Sequence, residues 1–148
     1  MSSDVASEFV GAWRLASYSA VTPGGETIYP FGRNAQGRII YEAGGRMAVQ
    51  IGNPERAAFA TANPGAAPDA EVRAAFQGYL AYFGTYTVDA GRGIVVHHPE
   101  MSLNPNWIGV DQVRYFDLQG DRLILKTPPM IHGGGGERVA TLVWERLP

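Results

Sequence analysis

The sequence predicts an all-β chain, a single closed antiparallel β-barrel of about eight or nine strands with one short helix covering an opening. Three observations carry that expectation. Punctuation is frequent, with 19 Gly and 10 Pro in 148 residues, and the segments between Gly, Pro and Asp clusters are short and rich in Val, Ile, Tyr, Phe and Thr. Several links are tight enough to be hairpins. Only one stretch repeats its apolar residues at helical spacing. Closing so many consecutive antiparallel strands into a barrel removes the unpaired edges that invite aggregation.

In chain order, strands are predicted at Phe9 to Val21, Thr27 to Tyr29, Arg38 to Glu42, Arg46 to Ile51, Leu80 to Val88, Gly93 to His98, Asp111 to Leu118, Arg122 to Thr127 and Arg138 to Arg146. Ala43-Gly44-Gly45, Asp89-Ala90-Gly91-Arg92 and Gln119-Gly120-Asp121 supply the turns, because Gly and Asp accept the positive φ that hairpins need. The helix falls between Gly52 and Gly78: Pro68 and Asp69 start it, Glu71 complements its dipole, and Val72, Ala75, Phe76 and Tyr79 form its apolar stripe. Pro54 to Ala60 is expected to form another short helical turn.

Composition bounds the function. At 45% apolar and 18% charged residues, the chain has material for one core. A formal charge of -2 with scattered Arg gives no field for a polyanion, which argues against nucleic acid. The chain has no cysteine, which excludes disulfides, thiolate nucleophiles and Cys-ligated metals. The first ten residues show no basic region or apolar run, and no apolar stretch approaches the roughly 18 to 20 residues of a membrane span. A cytoplasmic chain without membrane attachment is the expectation.

Gly11-Ala12-Trp13 opens the first long strand. Further along stand Tyr29-Pro30-Phe31-Gly32, Gly37-Arg38-Ile39-Ile40-Tyr41, Ala81-Tyr82-Phe83-Gly84-Thr85-Tyr86, Val96-His97-His98, Pro105-Asn106-Trp107, Asp111-Gln112-Val113-Arg114 and Leu142-Val143-Trp144-Glu145-Arg146. From Phe9 to Arg146 this set resembles the bacterial and fungal lipocalin-like domain family. The resemblance implies a small barrel with a helix over one opening, and a setting in secondary metabolism for some members. A shared fold does not assign a function, which has to be read from the site.

Alternation along Asp111 to Leu118 puts Gln112, Arg114, Phe116 and Leu118 on one face, taken as interior, with Gln112 and Arg114 towards the mouth. A guanidinium there pairs either with an internal carboxylate or Tyr, or with an anionic or carbonyl ligand. His97 and His98 point to opposite faces, so at most one serves an interior site. The sequence leaves open which. His98 with Glu100, across Pro99, is the candidate acid-base pair, against the plainer reading of a half-buried strand-end histidine. Asn106 and Trp107 either orient and cover a ligand or form an Asn/Pro turn pinned by an aromatic. Tyr82 and Tyr86 flank Gly84, leaving a gap into which a ligand or another backbone can approach. Together with Tyr41, these hydroxyls suit an oxygenated apolar molecule, although each also serves simple packing. His132, before Gly133 to Gly136, belongs either to a lid or to a hairpin tip.

The expected function is binding of a small, largely apolar or aromatic, oxygenated molecule in the cavity. In the first hypothesis the chain is an enzyme needing no cofactor, an isomerase, cyclase, dehydratase or lyase. His98, Glu100, Arg114 and Tyr82 are then catalytic, and Tyr41, Tyr86, Asn106, Trp107, Gln112 and His132 bind ligand. In the second it is a non-catalytic carrier or sensor. Haem held by His132 or His98 and a filled barrel acting as an interaction module or homodimer are the remaining readings. All but the last require a hollow barrel.

Overall fold

The computed structural model describes residues 4–131 and 137–148. Among them, eight strands close the barrel: β1 (Gly11–Val21), β3 (Gln36–Tyr41), β4 (Arg46–Gly52), β5 (Tyr79–Asp89), β6 (Ile94–Ser102), β7 (Gln112–Gln119), β8 (Arg122–Lys126) and β10 (Glu137–Arg146). Each neighbour pair is antiparallel, and β1 pairs with both β3 and β10, which completes the ring. The two-residue strands β2 (Thr27–Ile28) and β9 (Met130–Ile131) add to the ends of β1 and β10. The predicted all-β barrel of lipocalin-like type is therefore the fold. No helix among the described residues is long and apolar enough to cross a membrane.

One end of the barrel is plugged. The strand expected from Phe9 starts two residues later, at Gly11. Val5–Phe9 instead forms a short helix, α1, capped by Asp4. The positive φ of Gly11, +133°, turns the chain between the two, a conformation open to Gly without strain. Phe9 and Trp13 are fully buried. Phe9 packs edge-on against Tyr41 and Phe116, with ring centroids 5.3 and 5.0 Å apart. Trp13 Nε1 donates to the Phe9 carbonyl at 2.9 Å. Arg146 covers the indole at 4.2 Å and donates to the carbonyls of Val10 and Glu8. Aromatic packing and filled backbone acceptors together seal this end.

Two irregularities in the ladder decide what faces inward. On β1, the pairing with β10 slips between Leu15 and Ser17. Trp13 and Leu15 point in before the bulge, Tyr18 and Ala20 after it, because one extra residue reverses the alternation. On β6, Pro99 was expected to end the strand. It continues to Ser102 because a second bulge, between Phe83 and Gly84, sets the proline opposite Gly84, a place where a missing N–H is tolerated.

α2 (Asp69–Gln77) occupies the predicted helical segment, but none of its residues is buried. It flanks the open end through Phe76 and Gln77 and does not seal it. The turn expected at Pro54 to Ala60 is not helical; a 3₁₀ turn forms instead at Pro64–Ala66, where Asn63 caps the Gly65 N–H.

Candidate ligand-binding site

The open end holds a pocket of about 360 Å³. Its rim comes from the end of β1 (Tyr18), the approach to β3 (Phe31), the α2–β5 junction (Phe76, Leu80), the end of β6 (Ser102, Asn104), the 3₁₀ turn Pro105–Trp107 and the start of β10 (Arg138). Beneath it lies a chamber of about 30 Å³ bounded by Tyr82, His97, Arg114, Leu125, Thr127 and Trp144, among others. Tyr18, Leu80 and Trp107 line both spaces and separate them. The upper pocket suits a small organic ligand and the lower one suits a single polar group or water.

The structure answers the question of the paired histidines. His97 is the inward one, 1% exposed. His98 lies on the outer face, its Nδ1 2.7 Å from Asp111 Oδ1 and its Nε2 3.0 Å from Thr87 Oγ1. Glu100 is exposed. The pair singled out as acid and base is thus not brought to the pocket. Arg114 and Tyr82 are buried and line the chamber, and Trp107 lines both spaces. Tyr41, Tyr86 and Gln112 are buried behind that surface. Asn106 is exposed, with its N–H capped by the Asn104 side chain. His132 and the Gly133 to Gly136 segment lie outside the described residues.

Tyr41 Oη sits 2.7 Å from His97 Nε2, and Tyr82 Oη sits 2.6 Å from Nδ1. Burial, with Arg114 nearby, pushes the His97 pKa well below its ordinary value, so the ring is neutral. A neutral imidazole carries one N–H and one bare nitrogen, so one phenol donates to the ring and the other accepts from it. The accepting phenol keeps its own proton to give elsewhere. Of the two, only Tyr82 lines the chamber. The arrangement that uses every group has Tyr41 donating to Nε2, Nδ1–H donating to Tyr82, and the Tyr82 O–H offered to the chamber. Burial raises the Tyr82 pKa to about 12, against the opposing pull of Arg114, and raises Tyr41 and Tyr18 as well. All three phenols stay protonated donors at neutral pH.

Three buried polar atoms have no protein partner among the described residues: Ser102 Oγ, Arg138 Nε and Trp144 Nε1. Ser102 and Arg138 line the upper pocket and Trp144 lines the chamber. Buried polar groups are normally satisfied, so these three are exceptions, each on a residue that borders the hollow end.

The depressed His97 pKa has a consequence for stability. The unfolded chain takes up a proton near pH 6.5, and the folded chain refuses it until well below. Stability is therefore intact above that pH and declines as pH falls, by up to about 1.4 kcal/mol per pH unit. Urea unfolding at stepped pH between about 7 and 5 should show this slope, and His97→Gln should reduce it by that one proton's share. An unchanged slope would mean that His97 is not the group responsible.

A closed barrel plugged at one end and hollow at the other, with a mixed rim and an apolar interior that holds a few buried hydrogen-bonding groups, defines a small-molecule-binding protein. The chain belongs to the lipocalin-like domain family, whose model matches residues 10–147. Over 86 residues it is 38% identical to the 4'-hydroxy-3'-methoxypropiophenone carrier protein ppsC of Aspergillus oryzae (strain ATCC 42149 / RIB 40), an alignment covering 54% of this chain and 78% of that relative.

Several pocket residues were not singled out from sequence. Tyr18 is brought inward only by the β1 bulge. His97 was legible in principle: with Tyr82 and Tyr86 inside, the β5–β6 hairpin register sets His97 opposite Tyr86, and directly opposed residues share a face. Ser102 and Arg138 lie at strand ends, where periodicity carries little signal.

Proposed function

We propose that this chain is a carrier for a small, largely apolar molecule with an oxygen acceptor at one end, an aryl ketone or similar compound of secondary metabolism. The supporting observation is a largely hydrocarbon and aromatic interior with a few donors set into it: below the rim of Tyr18, Phe31, Leu80 and Trp107, the chamber walls of Ile39, Val49, Ile51 and Leu125 surround Arg114, Tyr82 and Thr127. An apolar body would occupy the upper pocket, and its oxygen would reach the donors below. The chain's similarity to a protein named as the carrier of a hydroxyaryl ketone supports the same ligand class.

The test is direct titration with 4'-hydroxy-3'-methoxypropiophenone, followed by quenching of tryptophan fluorescence, since Trp107 and Trp144 line the site. Saturable 1:1 binding with a Kd on the order of micromolar is expected for a ligand of this size. Trp107→Ala should weaken it about tenfold through lost aromatic contact and apolar area. A linear, non-saturating response in the parent protein would overturn the proposal.

One observation favours a second reading, turnover without a cofactor. The Tyr41–His97–Tyr82 chain is a path for polarising a carbonyl and moving a proton, as an isomerase, cyclase, dehydratase or lyase requires. It keeps Tyr82 and puts His97 and Tyr41 in place of His98 and Glu100. Under that reading a bound ketone is converted, and Tyr82→Phe slows the conversion on the order of 100-fold while retaining affinity. A carrier returns its ligand unchanged.

A further inference from the structure

The pocket and its chamber hold two guanidinium groups and no carboxylate. Arg138 stands at the rim and Arg114 at depth, and no Asp or Glu lines either space. Arg114 is 7% exposed. Its hydrogen bonds go to two neutral acceptors, the Val113 carbonyl at 2.8 Å and the Gln112 Oε1 at 3.5 Å. Neither arginine forms an ion pair among the described residues, and the remaining residues, Met1 to Ser3 and His132 to Gly136, include no acid. In the barrel the charge of Arg114 bears on Tyr18, Tyr41, Tyr82 and His97. Phenols and a neutral imidazole do not balance its charge.

A buried cation without a counter-ion is costly. Arginine does not escape that cost by losing its proton. The charge is also local, because the chain as a whole is net negative. An oxyanion seated in the chamber would meet the guanidinium and the Tyr82 O–H together, giving an uncompensated charge and a free donor charge-assisted hydrogen bonds.

We infer that the pocket takes its ligand in anionic form, as an aryl or arylalkyl carboxylate or a phenolate, with the ionised oxygen in the chamber on Arg114 and the apolar body under Trp107. Arg138 at the rim lies on the path by which the charge arrives. The inference rests on the binding reading above and narrows its ligand class.

Matched probes separate charge from shape. 3-Phenylpropanoate and 3-phenylpropanamide are nearly isosteric, as are 4-nitrophenolate, used above its own pKa, and 4-nitroanisole. Each is titrated calorimetrically into the intact chain, together with the hydroxyaryl ketone. At least one anion should bind more tightly than its neutral partner by on the order of 10- to 100-fold, the worth of a hydrogen bond to a charged group. Preference in the first pair alone identifies a carboxylate ligand, and in the second alone a phenolate. Arg114→Met should erase the preference, and Arg114→Lys should retain part of it. If neither pair discriminates, or if only the ketone binds and binds no more tightly above its phenol's pKa than below it, the anion inference fails and the carrier reading stands. If nothing binds, ketone included, both fail. Discrimination in the parent protein decides the matter even if the Met variant does not fold.

Discussion

Gly84→Ala should lower stability by about 3 kcal/mol or more, at the upper end of overpacking effects. A Cβ at this position would stand 2.0 Å from the His98 carbonyl oxygen and 2.9 Å from the Glu100 nitrogen. Both are backbone atoms of β6, so no side-chain rotation relieves the clash. Relief requires the β5–β6 ladder to part at its bulge, and that ladder sets His97 opposite Tyr86. The variant should therefore unfold at markedly lower urea. If it remains folded, it should also lose the stability slope assigned to His97. Gly91→Ala is the control: the nearest atom to its added Cβ is an Asp89 carboxylate oxygen at 3.6 Å, and its φ is not positive. A Gly84→Ala midpoint equal to that of Gly91→Ala would show that β6 does not pass this close.

Trp13→Ala should cost about 3–5 kcal/mol, the range for removing a fully buried large aromatic side chain. The indole fills the sealed end, donates to the Phe9 carbonyl and lies beneath Arg146. Its loss leaves a cavity, an unpaired carbonyl and a guanidinium without its aromatic face. Because Trp13 lines neither the pocket nor the chamber, binding of the hydroxyaryl ketone should survive at temperatures where the variant is folded. Trp107→Ala should do the reverse, sparing stability and weakening binding. Should Trp13→Ala abolish binding in a chain still folded by circular dichroism, the two ends would not be independent.

The fold was legible because its determinants are local. Turn glycines and alternating apolar residues state where strands begin and end, and Gly11-Ala12-Trp13 with Leu142 to Arg146 marks the two strands that close the ring. Register irregularities were less legible. A bulge is one residue of slippage with no compositional mark at Ala16, yet it decides that Tyr18 faces the ligand space. Gly84 was read correctly as a place of close approach, and the approaching group is the β6 backbone. Arg114 was assigned inward because the apolar Phe116 and Leu118 share its face. His98 was favoured over His97 because of its proximity to Glu100, a pairing that ignored the hairpin register. Pro99 looked like a terminator because its missing N–H matters in a regular ladder, and a bulge is where that requirement lapses.

The sealed end also governs exchange. Among the described residues, Phe9, Trp13 and Arg146 block one side of the barrel, so a guest at the open end would enter and leave by the same doorway and a newcomer would not push the resident out from behind. Under the carrier reading, turnover of cargo would then be paced by spontaneous departure past Tyr18, Leu80 and Trp107. On that reading, whatever loads the protein and whatever unloads it would meet the same rim in succession.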